Sequence, residues 1–166
     1  MTQPFLTSVT RISDISTRPY TVEPLAREHW DTGDYVMARV SNNRRRLSAL
    51  EMPDGRMIEA MEDDLVVGAL GTRAATLEAV GDWRAIDSDG ELNALTAAGL
   101  FGRVTSLSPF LSSPMRLQYQ GHLQRQDRKL TMRDSLAPID MVDFDIPVIL
   151  IVGTSMSAGK TTSGRV

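Results

Sequence analysis

Apolar positions along most of this chain come in short runs broken by Gly, Pro, Asp, Asn and Ser, and the period they follow is that of strands. The clearest alternation sets Met115, Leu117, Tyr119, Gly121 and Leu123 against Arg116, Gln118, Gln120, His122 and Gln124, which predicts a half-buried strand. Asp127-Arg128 then turns the chain back into 129–132. Tyr35-Val36-Met37-Ala38-Arg39-Val40 is β-prone, with Asn42-Asn43 as the turn that follows it. Segments 47–52 and 56–61 predict a hairpin, because Pro53 sets the first corner of the turn and Gly55 accepts its left-handed position. After the acidic turn Glu62-Asp63-Asp64, residues 65–70 read as a buried strand ending at Gly71. Gly68 within it marks a bend or a close backbone approach.

Four stretches depart from that rhythm. Residues 72–80 are ambiguous, since Ala74, Leu77 and Val80 fit a helical face while the flanking glycines favour something short. Residues 91–98 predict a helix entered through Ser88-Asp89-Gly90 and capped by Gly99. Residues 105–114 read as a Ser- and Pro-rich loop. The first thirty or so residues carry Pro4, Pro19 and Pro24 among Thr and Ser, and read as an arm with one or two short extended pieces. The pattern as a whole predicts an arm at 1–32 and then a mainly β domain at 33–138, a small barrel or sandwich.

Near residue 138 the character changes. Val148 to Val152 are apolar without polar alternation, as a central parallel strand buried on both faces requires. A Gly and a loop of small residues follow, then Gly159-Lys160-Thr161-Thr162. Phosphate binding explains that order. Small side chains at positions such as Gly153, Thr154 and Ser157 let backbone N–H groups converge on a phosphate, and a helix starting near Gly159 adds its positive end. Lys160 would reach the β- and γ-phosphates, and the Thr161 hydroxyl would join a Mg²⁺ shell once nucleotide is bound.

The spacing places five residues between Gly153 and Gly159, and the form Gly-Thr-x-x-x-x-Gly-Lys-Thr-Thr resembles the phosphate loop of dethiobiotin synthetase and related P-loop NTPases. Where the synthetase-type loop commonly carries Asp after Gly-Thr, this chain has Ser155. The resemblance covers the last twenty or so residues. It implies the first β-loop-α unit of an α/β P-loop domain at 139–166, with ATP and Mg²⁺ as ligands. It also implies Gly153, Thr154, Ser157, Gly159, Lys160, Thr161 and Thr162 as their contacts, and an ATP-dependent ligase or phosphotransferase with a small-molecule acceptor.

The sequence reading expects the rest of that domain to be missing. Only six residues follow Lys160, too few for the usual helix or for further parallel strands, and Gly164 weakens even that turn. Residues 154–166 are therefore expected to be poorly ordered and the chain by itself catalytically incompetent. Asp140, Asp143 and Asp145 precede the apolar run, at the end opposite the loop, and read as linker residues rather than as holders of a metal. The alternative is a non-catalytic β-barrel interaction module with a vestigial loop.

Composition narrows the field further. No apolar run approaches the roughly 18 residues of a spanning helix, no secretory leader is visible, and cytoplasm is the expected compartment. Absence of cysteine excludes disulfides and thiol chemistry, and a net charge of −3 gives no general attraction for nucleic acid. Arg44-Arg45-Arg46 reads as a solvated hairpin end, Glu62-Asp63-Asp64 as an ordinary turn, and His29 and His122 as surface or half-buried residues. Trp30, Trp83, Phe101 and Phe110 read as core or loop anchors. A homo-oligomer through the β domain or the exposed apolar strand is a further expectation.

Overall fold

The computed structural model describes residues 3–42, 49–75, 78–138, 143, 145–154 and 158–165. Its strands are β1 (Phe5–Leu6), β2 (Thr21–Glu23), β3 (Tyr35–Asn42), β4 (Ala49–Glu51), β5 (Met57–Glu59) and β6 (Leu65–Leu70), of which β3 and β6 are the richest in β-branched and aromatic residues. They continue with β7 (Thr72–Ala75), β8 (Ala79–Asp82), β9 (Glu91–Ala94), β10 (Leu100–Leu107), β11 (Arg116–Arg125) and β12 (Arg128–Lys129). The domain is mainly β, as the alternation predicts. The β4–β5 hairpin forms around Pro53-Asp54-Gly55 with Gly55 at φ 87°, and Asp63 takes φ 71° in the acidic turn before β6.

The ladders close on themselves. From β6 they pass to β3, β11, β9 and β10, and β10 returns to β6 in parallel through Leu100↔Ala69 and Phe101↔Leu70. Ala69 N–H donates to Gly99 O and Gly71 N–H to Phe101 O, each at 2.9 Å, so the seam is hydrogen-bonded along both strands. The interior holds Val36, Ala38, Val40, Val66, Leu70, Leu92, Phe101 and Leu117.

Alternate residues of the same strands point outward and are also buried. Tyr35, Val67, Ala69 and Leu123 pack with Ile15, and Leu6, Val9, Tyr20 and Val22 lean on them. That second layer comes from the segment predicted as an arm. Because β6 is apolar on both faces, its outer face needs a cover, and side chains of the N-terminal segment supply it, held there as β1 pairs in parallel with β6 and β2 pairs with β11. Thr7 Oγ1 donates to Val67 O at 2.6 Å, and Tyr35 Oη donates to Val9 O at 3.1 Å.

Several expectations are corrected by the structure. Residues 91–98 are not a helix: β9 lies between β10 and β11, Leu92 is wholly buried, and two sets of ladder hydrogen bonds outweigh the local helical preference. Residues 72–80 resolve into the β7–β8 hairpin, with Leu77 outside the described residues. Part of the predicted loop, Thr105 to Leu107, extends β10 and pairs with β8. Phe110 anchors nothing among the described residues, being 96% exposed. On β11 a register shift between Tyr119 and Gly121 re-aims the strand, so His122 and Gln124 turn inward under the cover of β2.

At the C-terminal end the predicted strand is not formed. No ladder among the described residues reaches 146–152, and Val148, Ile149, Leu150 and Val152 are exposed, Ile149 by 89%. A strand meant to be buried on both faces needs neighbours on either side, and the β domain closes without leaving it a place. A single helical turn, α1 (Lys160–Ser163), follows. No helix among the described residues is long and apolar enough to cross a membrane.

Ring closure sets a strict demand on Gly68. A Cβ built there would lie 2.5 Å from the Phe101 ring and hard against Gly99 O. Gly68→Ala should therefore cost at least the roughly 3 kcal/mol at the upper end of overpacking effects, read as a lowered urea midpoint. An unchanged midpoint would show that the seam yields.

Candidate functional site

The residues of the phosphate-loop motif are partly drawn together. Gly159 has φ 78° and ψ 13°, a left-handed conformation that side chains disfavour, and the first turn of α1 starts from it. Ser163 N–H donates to Gly159 O at 2.9 Å and Gly164 N–H to Lys160 O at 3.1 Å. The chain folds back on itself: a Cβ on Gly153 would meet Ala158 Cβ at 2.8 Å and Lys160 Cγ at 3.0 Å, so the lysine stem crosses the Gly153 backbone. Ile151 Cδ1 would lie 3.4 Å from a Cβ on Gly164, which seats the helical turn beside the apolar run. Only small residues permit that approach.

Thr154, Thr161 and Thr162 are exposed around this turn, and Ser157 lies outside the described residues. Among the described residues no group of three His, Asp or Glu side chains could hold a metal ion. Asp143 and Asp145 are exposed, while Asp140 and Arg44-Arg45-Arg46 fall outside the described residues. Asp64 closes its own turn, Oδ2 accepting from Met61 N–H at 2.7 Å. His29 is exposed beside Glu28.

A second constellation lies inside the β domain, where the alternation pattern gave no sign of it. Asp34, the residue before β3, is buried with His122 of β11. Its Oδ2 accepts from Lys129 Nζ at 2.8 Å and from Asp31 N–H at 2.7 Å, and lies 3.4 Å from His122 Nε2. On the other side of the imidazole, Nδ1 is 2.5 Å from Tyr119 Oη. Because Leu25 N–H donates to that same oxygen at 3.1 Å, the phenol is free to give its proton to Nδ1, and the ring's own proton then sits on Nε2, facing the carboxylate. Tyr119 and His122 are thus hydrogen-bonded, whereas Nε2 faces Asp34 at 3.4 Å with no hydrogen-bond partner among the described residues, and the Trp30 ring lies 5.2 Å from the imidazole.

Electrostatics bear on both ends of this cluster. Burial raises the Tyr119 phenol above its ordinary value, opposed by the Leu25 N–H and reinforced by the Asp34 charge. Burial would also raise Asp34, but the His122 imidazole beside it and its bonds from Lys129 and Asp31 prevail and hold the carboxyl below the usual carboxylate range. The sequence signal for this cluster was the bulge-forming Gly121 beside His122. Its meaning required the register of β2 and β3.

Family models, curated proteins and solved structures include no match to this chain.

Asp34 is the anchor whose loss should be largest. Asp34→Asn leaves Lys129 without its charge partner and should cost about 3 kcal/mol at neutral pH. A carboxyl lowered in the folded state contributes fully above its unfolded value of about 4 and loses that contribution as pH falls through the folded value. The difference in unfolding free energy between the two proteins should accordingly shrink as pH drops below about 4. A gap that stays constant down to the acid limit would show that Asp34 is not the charged anchor.

Proposed function

We propose that this chain is the N-terminal portion of an ATP-binding P-loop protein, an ATP-dependent ligase or phosphotransferase when whole, with residues 153–162 as its phosphate loop. One observation carries this reading: behind an unbroken apolar run, the chain turns back so that Lys160 crosses Gly153 and the first helical turn starts at a left-handed Gly159. The fold-back brings Gly153, Ala158, Gly159 and the Lys160 stem together, with Thr161 on the turn that follows, and backbone amides, an ammonium group and a hydroxyl are the chemistry a polyphosphate with its cation asks for.

In this reading the amides of the loop bind phosphate oxygens, Lys160 neutralises the β- and γ-phosphates, and the Thr161 hydroxyl takes one position of the Mg²⁺ shell. Gly153 and Gly159 act through what they lack, leaving room for the lysine stem and for the left-handed corner. Bound Mg-ATP would supply an activated phosphoryl group for a small-molecule acceptor. Catalysis also needs an acidic residue beyond the loop, a place that Asp143 and Asp145 do not occupy, so the chain alone is read as inactive. Further parallel strands would cover the exposed apolar face of 146–152, and the β domain would serve as an accessory unit shaping the acceptor site or an oligomer. The unpaired state of that run favours the second reading, an interaction module with a vestigial loop.

Amide resonances decide between them. On addition of millimolar Mg-ATP, the backbone signals of Gly159, Lys160, Thr161 and Thr162 should move saturably. Lys160→Ala should weaken that response roughly tenfold, about 1.4 kcal/mol. Motionless loop signals, or equal shifts in the alanine variant, would leave the module reading in possession.

A further inference from the structure

Away from the terminal loop, the β domain carries a cavity of about 350 Å³ walled by Leu25, Trp30, Ile86 and Tyr119, with the exposed Asp87 and Ser88 also lining it. That volume lies within the range of small-molecule sites. The aromatic pair is not open for stacking. Trp30 and Tyr119 have ring centroids 4.4 Å apart and so touch each other, and the Arg27 guanidinium carbon lies over the Trp30 ring at 4.5 Å. A flat guest has nothing to slip between. Contact area comes instead from the aliphatic Leu25 and Ile86 side chains and from the outer edges of the two rings.

The polar groups of the wall are almost all engaged from within. Trp30 Nε1–H donates to Leu25 O at 2.9 Å, and Leu25 N–H donates at 3.1 Å to Tyr119 Oη, the same oxygen that meets His122 Nδ1. Gly90 N–H donates to Asp87 O at 3.1 Å, and Gly90 O accepts from Tyr119 N–H at 3.0 Å. Arg27 Nη2 donates to Trp83 O at 2.6 Å and Nη1 is sealed from solvent, so neither nitrogen serves a guest. One group stands apart: the Ser88 hydroxyl makes no hydrogen bond among the described residues. Ions of either sign are disfavoured. A carboxylate entering here meets the charge of Asp87, and an ammonium meets that of Arg27, while Asp87 is itself countered by Arg103 at 3.5 Å.

We infer that this cavity binds a small uncharged aliphatic molecule carrying one neutral hydrogen-bonding group, its branched body against Leu25 and Ile86 and its polar end on the Ser88 hydroxyl. Walls whose donors and acceptors are already paired lose nothing when water leaves, so burial of apolar surface drives entry. The same internal bonds set the side chains beforehand, and little freedom remains for a guest to freeze out. This inference rests on residues of the β domain alone and stands apart from the phosphate-loop reading.

Isoamyl alcohol is the probe, with isovalerate and isoamylammonium as its charged counterparts, added to the full chain labelled with ¹⁵N. The Trp30 indole N–H and the Leu25 and Gly90 amides belong to the wall and report on it. Isoamyl alcohol should move them saturably with a Kd of about 1 mM, as befits so small a molecule. Each ion should bind roughly threefold or more weakly. Ser88→Ala should weaken the alcohol by about threefold through the lost hydrogen bond. Leu25→Phe fills the cavity from a half-buried position and should abolish the shifts; the ion series and Ser88→Ala carry the test if that variant does not fold. Equal or tighter binding of either ion would overturn the uncharged assignment, and an unchanged Kd in Ser88→Ala would overturn the Ser88 contact. No saturable shift at the wall, shifts that persist in folded Leu25→Phe, or shifts confined to the exposed apolar run 146–152 would overturn the site.

Discussion

The architecture depends on one close approach: β6 can meet β10 only because Gly68 presents no side chain to the Phe101 ring. Parallel pairing at that seam turns a curled antiparallel sheet into a ring, and the aromatic ring fills the hollow left by the glycine. With the seam closed, neither β6 nor β10 is left as a raw edge there. The same closure excludes the terminal apolar run from the sheet. What the β domain gains in self-sufficiency, residues 146–152 lose in partners.

Much of this was legible from sequence, and the misses share a cause. Alternation and turn chemistry located β3, the β4–β5 hairpin, β6 and β11, because each of those signals is local: a β-branched run, Pro53-Asp54-Gly55, or a period of two. Residues 91–94 failed as a helix because their conformation is decided by β10 and β11, neighbours that a local window does not contain. His122 failed for a related reason. Up to Tyr119 the strand keeps its period, but the bulge before Gly121 shifts the phase, and a residue counted as outward is carried into the interior.

The two candidate sites differ in how they could be read. The proposed phosphate loop is a run of consecutive residues, so sequence alone could nominate it, and in the structure the Lys160 stem crosses Gly153. Asp34, Tyr119, His122 and Lys129 are scattered over almost a hundred positions and meet only once the ladders are in register. Arg27 was invisible for the same reason, lying in a segment read as an arm and gaining its meaning from Trp83, whose carbonyl and ring it reaches. The N-terminal stretch is thus a structural wall, and its Arg27 has a buried nitrogen without a hydrogen-bond partner among the described residues.

The position of β11 has a consequence for how the chain comes into being. This strand is bonded to β2, β3, β9 and β12, yet it lies late in the sequence, and its Arg125 reaches back across 111 positions to Asp14. While the polypeptide emerges from the ribosome, β3 and β6 can pair early, but one flank of β3 stays bare until the centrepiece arrives. A nascent chain halted before residue 116 would therefore present an unsatisfied strand edge backed by apolar side chains. Birth, rather than maturity, is the vulnerable period of this domain.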